Sequence, residues 1–171
     1  MGEKCLLSIS LLMCGRKDSE KCLESLLPFK NKLPCEIIVV DTGCDEDTRK
    51  IIEKYADNII AFKWCNDFSK ARNAGLKAAK GEWFLYLDDD EWFEDPKDII
   101  DFFKSGKYKK YNSACYMQRN YHDFEETVYG DAAVSRMIKL EKDTCFMSSI
   151  HEYLYPYKGP VMLFDTYVKH F

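Results

Sequence analysis

The sequence predicts an α/β fold, with a mostly parallel central sheet, helices on both faces and a mixed C-terminal extension. Two patterns carry the prediction. Apolar runs without polar alternation, such as "CEIIVVD" and "EWFLYLD", recur between segments of helical period, as expected for strands covered on both faces and joined by right-handed crossovers. After "EDPKD" the texture changes to Tyr- and Lys-rich β-like runs, "SACYMQRNY", "AVSRMIKL" and "TYVKHF", which suit an antiparallel or mixed addition. The composition agrees: 171 residues, 46% hydrophobic and 32% charged, are ordinary for one globular domain.

Each element has a local reason. Leu6 to Met13 is a short apolar run and reads as the first strand. "DSEKCLESLLPF" places Cys22, Leu23, Leu26 and Leu27 on one helical stripe, with Asp18 as N-cap and Pro28 near the stop. "CEIIVVD" is the second strand, ending on Asp41. The next helix opens on Asp45, Glu46 and Asp47, acids that suit the positive end of the helix dipole, and carries the stripe Ile51, Ile52, Tyr55 and Ala56. A brief strand near Ile59 to Phe62 precedes a helix capped by Ser69, with the small face Ala71, Ala74, Gly75 and Ala78 and a stop at Gly81. "EWFLYLD" is the fourth strand. Asp95 and Pro96 then read as N-cap and first residue of a short helix through Phe103.

These elements form a single expected domain over 1–171, with a nucleotide-binding half at 1–95 and an acceptor-side half at 96–171. The strand-like run that stops at Phe171 suggests C-terminal truncation. The charge balance of 29 acids against 25 bases gives a net charge of -4, and no basic run stands out, so nucleic acid is not an expected partner. Eight scattered cysteines without a CxxC pair point to reduced, mostly buried thiols in a cytoplasmic protein. "CLLSISLLMC" is too short to span a bilayer and no small-residue cleavage site follows it, so no transmembrane segment is expected, which leaves room for peripheral membrane contact.

Asp88, Asp89, Asp90 and Glu91 end a buried strand, at the edge of the sheet where ligands of parallel α/β folds bind. Packed acids repel and raise one another's pKa unless a cation or a solvated loop relieves them. Hard carboxylate oxygens suit Mg²⁺ or Mn²⁺, and Mg²⁺ commonly bridges one or two carboxylates to a substrate's phosphates.

"SISLLM", "CLESL", "IIVVDTG", "FSKARNAGL", "AKGEWFLYLDDDEW" and "IHEYL" occur in an order and spacing that resembles the family 2 glycosyltransferases, most strongly from Ile37 to Trp92. The resemblance implies a nucleotide-diphospho-sugar transferase (GT-A type) fold and metal-dependent, inverting transfer of a sugar from a nucleoside diphosphate, UDP foremost, to a saccharide, lipid-linked or peptide acceptor. Cell-surface glycan synthesis would be a natural setting. Carried over by position, the resemblance assigns Asp41 to the nucleobase, Arg72 to base and diphosphate, and Asp88 and Asp90 to ribose and metal. Asp89 stands between these two as the variable position beside the nucleotide. It implies Glu152 as general base with His151 beside it in the acceptor site, and His170 as a late metal ligand.

The chain also departs from its relatives: "CGRKD" stands where many carry an Asn-Glu pair after the first strand, so Arg16 and Lys17 replace acid by base. Either the basic pair helps with the diphosphate or the loop is remodelled. A phosphohydrolase of the haloacid dehalogenase type fits poorly, since its Asp-x-Asp follows the first strand and here the motif follows the fourth. The serious alternative is a non-catalytic nucleotide-sugar-binding module.

Overall fold

A computed structural model describes residues 4–123 and 125–171. Strand β1 (Leu7–Met13) pairs in parallel with β2 (Cys35–Asp41) on one side and β4 (Trp83–Asp88) on the other, and β3 (Asn58–Ala61) adds in parallel to β2. The extension continues the same sheet. Strand β7 (Tyr129–Lys139) runs antiparallel beside β4, followed by β6 (Ser113–Tyr121), β10 (Val161–His170) and the short β5 (Glu91–Phe93), giving eight strands in the order β3-β2-β1-β4-β7-β6-β10-β5. A separate hairpin joins β8 (Cys145–Met147) to β9 (Tyr153–Tyr155).

Alternation along the strands assigns the two faces. Leu7, Ile9, Leu11 and Met13 point with Ile37, Val39, Trp83, Leu85 and Leu87 into the main core. Helices α1 (Ser19–Glu24), α2 (Leu27–Lys32), α3 (Glu46–Tyr55) and α5 (Lys97–Lys104) supply Cys22, Phe29, Ile52, Ile99 and Phe102 to that core. Each such side chain taken fully out of water contributes roughly 1.5–3 kcal/mol. The opposite face carries Leu12 and Val40 against Ala71 of helix α4 (Phe68–Ala78), and Phe84 and Tyr86 against Phe146 and Leu154 of the β8–β9 hairpin.

Small residues bring α4 close to the sheet. A Cβ on Gly75 would meet Ser10 Oγ, so the predicted small face is a packing surface. Gly81 lies closer still, for its Cβ would stand 2.6 Å from Ser8 N and 2.7 Å from Trp83 O, both backbone atoms. Gly81→Ala is therefore expected to destabilise the fold by about 1–3 kcal/mol, the usual cost of overpacking. Urea unfolding measures it, and an unchanged midpoint would show that the β1–β4 junction yields freely.

Several expectations need correction. The helix expected from Asp18 to Pro28 is two, because Pro28 occupies the first turn of α2, where its missing N–H breaks no bond. Asp18 precedes α1 without a side-chain cap bond. The cap of α4 is Asp67, whose Oδ1 accepts from Lys70 N (3.1 Å) and from Ser69 Oγ (2.7 Å), so Ser69 supports the cap instead of providing it. All eight cysteines are free, but only Cys22 and Cys44 are buried, and Cys14 and Cys65 are exposed. Among the described residues no helix is long and apolar enough to cross a membrane.

Candidate active site

The carboxyl ends of β1, β2 and β4 open on a cleft of about 990 Å³. Cys14 and Arg16 line it after β1, Thr42 after β2, and Asp88, Asp89 and Asp90 at the end of β4 and just beyond it, with Arg136, His151, Glu152 and His170 closing it from the extension. The eight-stranded sheet thus brings residues from both halves of the sequence to one opening.

Arginines pair with part of the acid run. Asp88 Oδ1 accepts from Arg72 Nη2, while Asp88 Oδ2 accepts from both terminal nitrogens of Arg136 at 3.2 Å. Burial works against ionisation of Asp88, but the two guanidinium groups outweigh it and hold this carboxyl well below the usual carboxylate range. Arg136 Nη2 also reaches Glu91 Oε1 (3.0 Å), to which Gln118 Nε2 donates as well. Glu91 lies within β5 and is 1% exposed; burial drives its pKa up, Arg136 opposes this and the charge of Asp88 adds to it. Arg16 pairs with Asp89 and Asp90.

Arg136 is the principal residue that sequence reasoning missed. Its only signal is one of two charges, with Lys139, inside the mostly apolar run "AVSRMIKL", which a parallel-sheet pattern gives no reason to single out. Both Arg136 and Arg72 lie over the Tyr86 ring, at 4.6 and 4.7 Å from its centroid. Arg72 was expected to face the base and diphosphate. It is 2% exposed and directed to acids and backbone: Nη1 donates to Leu87 O (2.9 Å), Nη2 to Asp88, and Nε to Glu152 Oε1 (3.0 Å). Arg72 therefore ties the strand-end acid to the proposed base across the cleft floor.

Asp41 is also partly engaged. Its Oδ1 accepts from the Gly43 and Cys44 amides (2.9 and 2.7 Å) and its Oδ2 from Arg49 Nε (2.9 Å). Burial resists its ionisation, yet the Cys44 amide, Arg49 and the Gly43 amide prevail and lower the carboxyl to about 2. A carboxylate has about four acceptor positions, so these three donors leave one unfilled on a side chain that is 7% exposed. Asp41 does not cap the helix that follows β2, since Asp45 caps α3. Asp89 Oδ2 accepts from Cys14 N (2.9 Å) and its Oδ1 forms an ion pair with Arg16 Nε (3.3 Å), so this residue pins the loop after β1. The "CGRKD" departure is thereby explained in part: Arg16 is the partner of Asp89 and Asp90.

His151 has a left-handed backbone (φ 55°) and stands exposed at the cleft beside Glu152. His170 is better organised. Asn120 Nδ2 faces Gly130 O (3.4 Å), which turns Asn120 Oδ1 toward His170 Nδ1 at 2.8 Å. The other ring nitrogen, Nε2, lies 3.8 Å from Asp90 Oδ2, so the contact with Asn120 holds the imidazole edge toward that carboxylate.

No three His, Cys, Asp or Glu side chains stand together at metal-ligating spacing among the described residues. The part that fits a divalent ion is Asp90 with His170. Asp90 Oδ1 is buried and has no hydrogen-bond partner among the described residues, a costly state for a carboxylate oxygen. Burial raises the Asp90 pKa, Arg16 and His170 pull it back, and Asp88 and Asp89 add to the rise. A hard oxygen without a partner beside an oriented imidazole is a suitable pair of donors for Mg²⁺ or Mn²⁺.

Residues 16–148 match the sequence profile of glycosyl transferase family 2. The chain belongs to that family. The prophage-derived glycosyltransferase SunS of Bacillus subtilis is 30% identical over 145 residues, covering 80% of this chain and 31% of SunS. WfaP of Escherichia coli, a UDP-Glc:α-D-GlcNAc-diphosphoundecaprenol β-1,3-glucosyltransferase, is 37% identical over 94 residues, covering 52% of this chain and 36% of WfaP. The chain spans only 20% to 36% of the length of such curated relatives. In structure it is similar to TarS of S. aureus, with a TM-score of 0.56 at 23% identity over 69% of this chain and 22% of TarS. The family's GT-A type fold is therefore the fold of this chain, as the sequence predicted.

Proposed function

We propose that this chain is the donor-binding and catalytic part of a metal-dependent, inverting glycosyltransferase that uses a UDP-sugar. The observation that carries the reading is the single cleft in which Asp90 and His170, the arginine-held Asp88, and Glu152 all meet. UDP is favoured because WfaP, named for a UDP-glucose donor, matches this chain at 37% identity. A cytoplasmic site of action accords with eight free thiols.

In this reading the lone pair left on Asp41 accepts a hydrogen bond from the base. Arg72 acts from beneath the site, keeping Asp88 ionised and oriented toward the ribose, and Arg16 stands at the rim near the diphosphate. Asp89 holds the nucleotide side of the cleft in shape by fixing the loop after β1. Asp90 and His170, with Asp88 next to them, would hold Mg²⁺ or Mn²⁺, which when bound supplies positive charge to the leaving diphosphate. Glu152 accepts the proton of the acceptor hydroxyl as that oxygen bonds to the anomeric carbon. The bond from this carbon to the diphosphate breaks on the opposite side, and UDP carries away the electron pair. Saccharide, lipid-linked and peptide hydroxyls all satisfy this chemistry.

Calorimetric titration of UDP tests the donor site. Affinity is expected to fall about 10- to 150-fold on replacing Mn²⁺ with EDTA or on Asp90→Asn, as for loss of a charged interaction. Equal affinity under all three conditions would remove the metal from the proposal. Release of UDP from a UDP-sugar then distinguishes an enzyme from a binding module.

A further inference from the structure

One wall of the cleft carries a cluster that the donor chemistry leaves unused. Trp64, Phe68, Ile150 and Tyr153 all line it and remain 37%, 40%, 63% and 54% exposed. The indole of Trp64 is set in place by two contacts. Its Nε1 donates to Asn66 Oδ1 (3.0 Å), and the Phe68 ring meets it at 4.8 Å with an interplanar angle of 71°.

The cluster is fastened to the side of the cleft that holds Glu152. Phe68 N donates to Ser149 O (3.1 Å), and one helical turn after Phe68, Arg72 binds Glu152. Ile150 and Tyr153 flank the His151-Glu152 pair in sequence. An acceptor lying on this wall would have its reacting hydroxyl beside the proposed base.

The chemistry of the wall selects among acceptors. Three of the four residues are aromatic and one is aliphatic, and polar groups border them in the cleft, a combination that suits a ligand with both C–H faces and hydroxyls better than a wholly apolar chain. A pyranose ring presents C–H groups on its faces, which pack on aromatic faces, and hydroxyls at its edge. The Tyr153 hydroxyl and the exposed His151 supply polar partners at the border of the rings. We propose that Trp64, Phe68, Ile150 and Tyr153 form an acceptor subsite that stacks a pyranose ring and directs one of its hydroxyls to Glu152. The subsite rests on the proposed function of the cleft and narrows its acceptor to a saccharide unit.

Trp64 is its own reporter, because the other two tryptophans, Trp83 and Trp92, are 0% and 5% exposed. Acrylamide quenching of tryptophan emission is measured with UDP and Mn²⁺ present, while methyl glycosides of glucose, galactose, mannose and N-acetylglucosamine are titrated. At least one glycoside is expected to shield Trp64. Tyr153→Ala, a substitution at a half-exposed position, should raise its half-saturating concentration by about 2- to 10-fold, and Trp64→Phe should abolish the signal.

Full shielding by UDP alone would assign the wall to the nucleobase and overturn the inference. Shielding by farnesyl phosphate but by no glycoside would assign it to lipid, and no shielding by any glycoside would also overturn it. UDP affinity is measured separately by calorimetry. A parent chain that fails to bind UDP while glycosides still shield Trp64 would sink the donor reading and leave the saccharide subsite standing.

Discussion

Glu152→Gln is expected to slow sugar transfer about 10²- to 10⁴-fold, the usual contribution of a positioned general base, while UDP-sugar affinity changes little. The geometry makes this a clean substitution. Glu152 Oε1 accepts from Arg72 Nε, a bond the Gln amide oxygen can keep, and Oε2 has no hydrogen-bond partner among the described residues and is available to the acceptor. Gln preserves the shape and the Arg72 contact and removes the proton acceptor. Initial rates of UDP release with acceptor, and with water alone, measure the effect. His151→Ala serves as the comparison, because its side chain shares the cleft but makes no ion pair with the buried arginines. Parental turnover by Glu152→Gln would move the base elsewhere, with His151 the next candidate.

The parts of this fold that were legible in the sequence are those decided by local pattern. β1, β2 and β4 bury both faces, so their runs are continuously apolar, and the helices between them keep a helical stripe. The insertion of β7 between β4 and β6 was not legible. It depends on a long-range antiparallel pairing, Trp83 with Lys139 and Leu85 with Met137, that no local period encodes. The same pairing places Arg136 beside Asp88, which is why the partner of the acid run escaped notice. Crowded acids at a strand end do imply a cation. Whether that cation is a metal or an arginine depends on contacts 48 residues apart in sequence.

Arg136→Ala is expected to destabilise the protein by about 3–5 kcal/mol, the range for removing one partner of a buried charge network. The reasoning starts from Glu91, which is almost fully buried and whose Oε1 accepts from Arg136 and Gln118. Without the guanidinium, Glu91 either stays charged beside Asp88 in a poorly solvated pocket or takes up a proton, and both routes disfavour the native state. Asp88 loses the partner of its Oδ2 and retains Arg72 at Oδ1. Arg136→Lys should recover only part of the loss, since an ammonium is unable to span Asp88 and Glu91 as a planar fork does. The variant Arg136→Met/Glu91→Gln separates charge from packing. If the penalty comes from stranded charge, Glu91→Gln costs less in the Arg136→Met background than in the parent, a coupling of about 0.5–3 kcal/mol in the double-mutant cycle. Urea midpoints at neutral pH provide all of these values. A loss below about 0.5 kcal/mol for Arg136→Ala would show that Asp88 and Glu91 find solvent or other partners without it, placing Arg136 outside the framework that holds the cleft together.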